Sequence, residues 1–131
     1  MRSRVPRGSN TVIAMNTLRI LMVEDNPWVG SVLQELIAET AEAEIIVLRS
    51  VAAAEKALAE SKFDFAFLDV QVTDGKTYEI AACLMKDEIP FAFMSGFDPH
   101  HDIPDSLRKA PVLAKPFRPA QIKSILSRLA D

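Results

Sequence analysis

Four short apolar runs in this chain each stop at a residue capable of chemistry. Leu18-Arg19-Ile20-Leu21-Met22-Val23 leads into Glu24-Asp25, Phe65-Ala66-Phe67-Leu68 into Asp69, Pro90-Phe91-Ala92-Phe93-Met94 into Ser95-Gly96, and Pro111-Val112-Leu113-Ala114 into Lys115-Pro116. Near-continuous apolar runs suit strands buried on both faces, the condition of a parallel sheet covered by helices. In such an open sheet, ligands bind beyond the carboxyl ends of the strands. Three acids, a hydroxyl and a lysine would then share one cleft.

The intervening segments read as helices and one further strand. Asn26 can cap a helix with Pro27 at its first position, where the missing N–H costs nothing; Val29, Val32, Leu33, Leu36 and Ile37 form its apolar face. Glu44 to Arg49 holds the β-branched run Ile45-Ile46-Val47 and reads as a strand. Ser50 caps a helix to about Glu60, in which Ala53, Ala54, Ala57 and Leu58 pack closely on a sheet. Thr77 to about Met85 is helical, and a last helix opens at Pro119 with Ile122, Ile125, Leu126 and Leu129 as its stripe. Strand and helix alternate, five of each, which predicts an α/β doubly wound five-stranded parallel sheet with five helices. Pro99 to Lys109 is the weak segment. It has two prolines and only Ile103 and Leu107 as sizeable apolar residues, so the fourth helix should be short, irregular or mobile.

With 131 residues, 49% of them hydrophobic, the chain has the size of one domain with one core. Net charge is −3 and no basic stretch interleaved with aromatics occurs in the body, so neither nucleic acid nor a membrane surface is an expected partner. No apolar run approaches the ~20 residues of a membrane span. The single cysteine, Cys83, excludes a disulfide framework and is expected in the core, which suits a cytoplasmic protein. Residues 1–14 do not match the rest. Val5-Pro6-Arg7-Gly8-Ser9 resembles the thrombin-site remnant of an expression vector, and Met15 reads as the native start of a domain spanning 15–131, with no room left for an output domain.

Glu24, Asp25 and Asp69 in one cleft would repel strongly. At an effective dielectric of about 20, each like-charge pair at ~4 Å costs roughly 4 kcal/mol. Such a cluster needs a cation or shifted pKa values. Oxygen ligands without His or Cys favour Mg²⁺, which commonly binds one or two carboxylates together with a phosphate. Lys115 and Ser95 would complete the ring, a constellation that fits phosphoryl transfer to a carboxylate. Taken singly, an acidic pair after a strand is more often a solvated turn, and Lys-Pro or Ser-Gly a plain connector. Their recurrence at the ends of four different strands is what argues for a site.

Val23-Glu24-Asp25-Asn26, Phe67-Leu68-Asp69-Val70, Met94-Ser95-Gly96 and Leu113-Ala114-Lys115-Pro116-Phe117 resemble the receiver domain of two-component response regulators, whose fold is the flavodoxin-like, CheY-like one. The resemblance covers residues 17 to 130. It implies that Asp69 is the phosphoacceptor, Asp25 a direct Mg²⁺ ligand, Glu24 a ligand largely through water, and the Gln71 backbone carbonyl a further ligand. Ser95 and Lys115 would grip the phosphoryl group, and the Lys115–Pro116 bond would be cis. Pro90 to Phe97 is similar to the Pro-Phe-x-Phe-Ala-Thr-Gly-Tyr signature of the FATGUY receivers, mostly stand-alone regulators of alphaproteobacteria. Met94, Ser95 and Phe97 depart from that signature. Val112 stands where most receivers carry an aromatic switch residue; Phe97 is a candidate substitute or simply a hydrophobic plug.

The resulting expectation is a single-domain response regulator, a switch rather than an enzyme. It would accept a phosphoryl group on Asp69 from a histidine kinase or histidine phosphotransfer protein and signal to a downstream regulatory protein, as a monomer or weak dimer. The alternatives are a phosphate shuttle or sink, a phosphorylation-independent pseudo-receiver, and a small hydrolase or phosphatase. A haloacid-dehalogenase form of the last would want a second Asp where Gln71 stands. With Val112 in place of the aromatic, switching is expected mainly in Ser95 to Lys109. Trp28 is either a cleft-rim residue or a packed helix-start aromatic, and His100-His101 read as a solvated turn rather than a metal site.

Overall fold

The computed structural model describes residues 17–95 and 103–127. Their order is β1 (Leu18–Val23), α1 (Pro27–Thr40), β2 (Ala43–Leu48), α2 (Val51–Glu60), β3 (Phe65–Asp69), a hairpin of β4 (Gln71–Val72) and β5 (Gly75–Lys76), α3 (Tyr78–Lys86), β6 (Phe91–Ser95), β7 (Val112–Ala114) and α4 (Pro119–Ser127). The main sheet has five strands in the order β2-β1-β3-β6-β7, every neighbouring pair parallel. From β1 the chain winds one way to β2 and the other way to β3, β6 and β7. The winding reverses between β1 and β3, and the crevice beyond their carboxyl ends is where such sheets bind ligands. The expected α/β doubly wound sheet is the one found.

The apolar runs are continuous because both faces of the central strands are covered. On β3, Phe65 and Phe67 enter one core with Leu33, Ile37 and Ile122, while Ala66 and Leu68 enter the other with Ala54, Ile80 and Leu84. β6 splits the same way, Ala92 and Met94 against Phe91 and Phe93. This alternation is the period of two of a strand. Each fully buried side chain of this size contributes about 1.5–3 kcal/mol, so the three central strands are the most firmly fixed part of the molecule.

The helix starts follow their capping residues. Asn26 Oδ1 accepts from the Trp28 amide at 2.9 Å and Ser50 Oγ from the Ala53 amide at 3.0 Å. Inside α1, Gly30 is buried, and a Cβ placed there would meet Val47 Cγ1 at 3.8 Å, an ordinary contact. Gly30→Ala should therefore stabilise the protein by about 0.5–1 kcal/mol, the helical cost of glycine. Urea unfolding of the two proteins checks this, and a loss of stability would show that α1 has no room against β2.

Three expectations need correction. Five helices were expected, whereas the described residues contain four α-helices and a 3-10 turn, Asp105–Leu107, in the proline-rich segment. That turn is anchored by the buried Ile103 and Leu107 alone of its large apolar residues, too few to build a longer helix. Cys83 is exposed rather than in the core, because α3 buries Ile80, Ala81 and Leu84 and this phase turns position 83 outward. Val32 likewise lies 41% exposed, outside the buried stripe of Leu33 and Ile37. Gly96, Phe97, His100 and His101 lie outside the described residues, as do residues 1–16 and Leu129. Among the described residues no helix is long and apolar enough to cross a membrane.

Candidate functional site

Adjacent strand ends deliver the acids to one point. Glu24 and Asp25 follow β1, Asp69 ends β3, and one carboxylate oxygen from each lies within 4.8 Å of the others. Ser95 ends β6 and is buried. Lys115 follows β7, its amide donating to the Ser95 carbonyl at 3.0 Å. Its Nζ reaches Asp69 Oδ2 at 3.1 Å and Glu24 Oε1 at 3.2 Å. The first contact is a hydrogen bond; the second is an ion pair by distance, without hydrogen-bond alignment. The Lys115–Pro116 bond is cis, as the resemblance implied. Gln71 adjoins the same point, its amide donating to Asp69 Oδ1 at 3.2 Å. The structure thus brings together Glu24, Asp25, Asp69, Gln71, Ser95 and Lys115.

Glu24 is only 1% exposed, and its Oε2 accepts from the Asn26 amide at 3.0 Å. Burial, reinforced by a hydrogen bond to Asp69 and by its negative charge, pushes the Glu24 carboxyl from 4.5 up to about 7, against the opposing pull of the Asn26 amide and Lys115. For Lys115, burial alone would depress the ammonium, but the Asp69 and Glu24 carboxylates outweigh it and hold it above its ordinary value. Even with Glu24 holding its proton, one ammonium cannot balance both Asp25 and Asp69. The uncompensated remainder, presented entirely by hard oxygens, fits a divalent cation of the Mg²⁺ kind.

Residues beyond those singled out from sequence complete the framework. Thr77, fully buried, donates from Oγ1 to the Asp69 carbonyl at 2.7 Å and fixes the backbone of that acid. Thr73 donates to Asp25 Oδ2 at 2.9 Å. Asp74 accepts from the Val51 amide at 2.7 Å and the Ala52 amide at 3.1 Å, filling the first turn of α2 beside the Ser50 cap. Those two amides hold the Asp74 carboxyl below its ordinary 3.8. Its contribution is therefore present above pH 3.8 and lost as acid protonates it. Asp74→Ala should lower the melting temperature at neutral pH, and thermal scans at falling pH should show wild type and variant converging. Melting curves that already coincide at neutral pH would mean that the cap carries no net stability.

Trp28 does not pack as a helix-start aromatic; it is 78% exposed on the first turn of α1. Val112 is half-buried opposite Phe93, and Tyr78 of α3 meets the Phe93 ring edge-on at 6.0 Å. An aromatic from α3, not from β7, packs on this face of β6.

No family model matches the chain. The phyllosphere-induced regulator PhyR of Methylorubrum extorquens is 28% identical to it over 98% of this chain and 49% of its own length, so the chain spans about half of that relative. The solution structure of SdrG from Sphingomonas melonis superposes with a TM-score of 0.75 at 28% identity, covering 88% of this chain and 98% of that one. The receiver domain of a sensor histidine kinase from Pseudomonas aeruginosa, with magnesium coordinated in its active-site cleft, superposes with a TM-score of 0.74 at 22% identity over 88% and 99% of the two chains. The proteins whose structures this chain resembles are thus receiver domains of response regulators, with the CheY-like fold.

Proposed function

We propose that this domain is a phosphorylation switch in which Asp69 accepts a phosphoryl group from the phosphohistidine of a kinase or phosphotransfer protein. The observation that carries this reading is the Asp69 carboxylate at the end of a central strand, paired with Lys115 at 3.1 Å and flanked by Glu24 and Asp25. A carboxylate oxygen of Asp69 attacks phosphorus, the P–N bond of the donor breaks with its electron pair returning to the imidazole, and an acyl phosphate forms. Gln71 N–H and Thr77 Oγ1 hold Asp69 in place for that attack. Lys115 moves its pairing from carboxylate to a phosphoryl oxygen, and the Ser95 hydroxyl donates to another. Bound at Asp25, Asp69 and the Gln71 carbonyl, with Glu24 behind them, Mg²⁺ would neutralise the phosphoryl oxygens.

The added ~1.5 to 2 negative charges draw Lys115 and Ser95 toward the phosphoryl group. Ser95 is continuous with the segment reaching Lys109, whose only described helical element is the short 3-10 turn, so the signal is read there by a partner protein. The domain acts in the cytoplasm as a switch rather than an enzyme. Incubation with acetyl phosphate and Mg²⁺ followed by intact-mass measurement tests this reading. One added phosphoryl group is expected, dependent on the cation; no uptake under these conditions overturns it.

A further inference from the structure

The hairpin of β4 and β5 is tied to three parts of the molecule. At its base the Gln71 amide donates to Asp69 Oδ1. Its turn residues, Thr73 and Asp74, point to different places: Thr73 Oγ1 donates to Asp25 Oδ2 at 2.9 Å, and Asp74 grips the Val51 and Ala52 amides of α2. We propose that Thr73 is a positioning residue of the cation site, orienting the Asp25 carboxylate, and that the Asp74 clamp on α2 holds Thr73 where it can do so. This inference rests on the cation reading given above.

The terminal torsion of an aspartate is broad, so a carboxylate lacking partners samples many orientations. Among the described residues, the side-chain hydrogen bond to Asp25 comes from Thr73. A carboxylate offers about four lone-pair sites. The carboxylate can therefore keep the Thr73 bond and still offer lone pairs to a cation. Thr73 is exposed at the tip of a short hairpin, between Val72, which is buried in the core, and Asp74. On the other side of Thr73, the two hydrogen bonds of Asp74 to the first turn of a ten-residue helix supply a second anchor. The strap thus runs from a secondary-structure element of the core, through adjacent residues, to a candidate ligand.

Mg²⁺ alone is the probe, titrated into wild type, Thr73→Val, Thr73→Ser and Asp74→Ala while backbone amide NMR shifts at residues 24, 25 and 69 are followed. Removing a partner that orients a metal ligand typically costs about 10–100-fold in affinity. Thr73→Val should lose about tenfold or more, and Thr73→Ser, which keeps the hydroxyl, should bind like wild type. Thermal melts of both Thr73 variants should match wild type, which separates positioning from a merely structural role. Asp74→Ala should weaken binding in parallel with loss of exchange protection at Val51 and Ala52. If wild type shows no shifts at 24, 25 and 69, the cation reading falls and this inference with it. If wild type binds and Thr73→Val binds as tightly or more tightly, the Thr73 role is overturned. Lost protection at Val51 and Ala52 with unchanged affinity overturns the clamp.

Discussion

Asp69→Asn should keep the fold and take up no phosphoryl group. The amide matches the carboxylate in shape, and its oxygen can still accept from the Gln71 amide, as Oδ1 does now. The backbone bond from Thr77 to the residue 69 carbonyl is untouched. Lys115 loses one partner but keeps Glu24 at 3.2 Å. What disappears is the nucleophile, since an amide oxygen cannot form the stable acyl phosphate. Intact-mass measurement after acetyl phosphate and Mg²⁺ should place the variant at background, and labelling equal to wild type would transfer the acceptor role to another residue. The variant should also change its neighbour. Both the hydrogen bond and the charge of Asp69 raise the Glu24 pKa, so the Glu24 titration followed by carboxyl NMR should move down toward its ordinary range.

The parts of this site that were legible in the sequence are those fixed by strand ends. A strand buried on both faces must be apolar until it leaves the sheet, so the first polar residue marks the exit, and Glu24, Asp69, Ser95 and Lys115 all lie at or just past such a boundary. Asn26 and Ser50 were legible because capping is local chemistry. Thr73, Asp74 and Thr77 were not. Asp74-Gly75 is a turn signal, and Gly75 does take a φ of 139°, but no local rule says that Asp74 reaches α2, more than twenty residues back in the chain. Cys83 misled because α3 is short and rich in small residues, so composition left its phase undetermined; the packing of Ile80, Ala81 and Leu84 sets it. That Val112 stands where the resemblance leads one to expect an aromatic was visible in sequence, whereas the Tyr78 ring on Phe93 depends on how α3 lies across the sheet.

Glu24 should give the metal-free protein a stability that falls as pH rises. Its folded pKa of about 7 lies above the ordinary 4.5, because burial and Asp69 disfavour the charged form. Below 4.5 the group is protonated in both states and imposes no penalty. Between 4.5 and about 7 the unfolded chain ionises while the folded one holds its proton, so unfolding gains. Above that interval the loss is complete and the slope from this group vanishes. At ~1.36 kcal/mol for each pH unit, the interval from 4.5 to about 7 is worth about 3 kcal/mol. Glu24→Gln keeps an oxygen for the Asn26 amide and removes the ionisation. Without divalent cations it should match wild type near about pH 4 and exceed it by about 3 kcal/mol near about pH 8. Comparing the two proteins cancels the titration of distant groups such as Asp74. Excess Mg²⁺ should reverse the order at high pH, because cation binding stabilises the folded wild type and favours the deprotonated carboxylate. Urea unfolding in chelator across this pH range measures the difference. Curves that stay parallel would mean that Glu24 ionises in the folded state as readily as in the unfolded one, with Lys115 compensating fully for its burial.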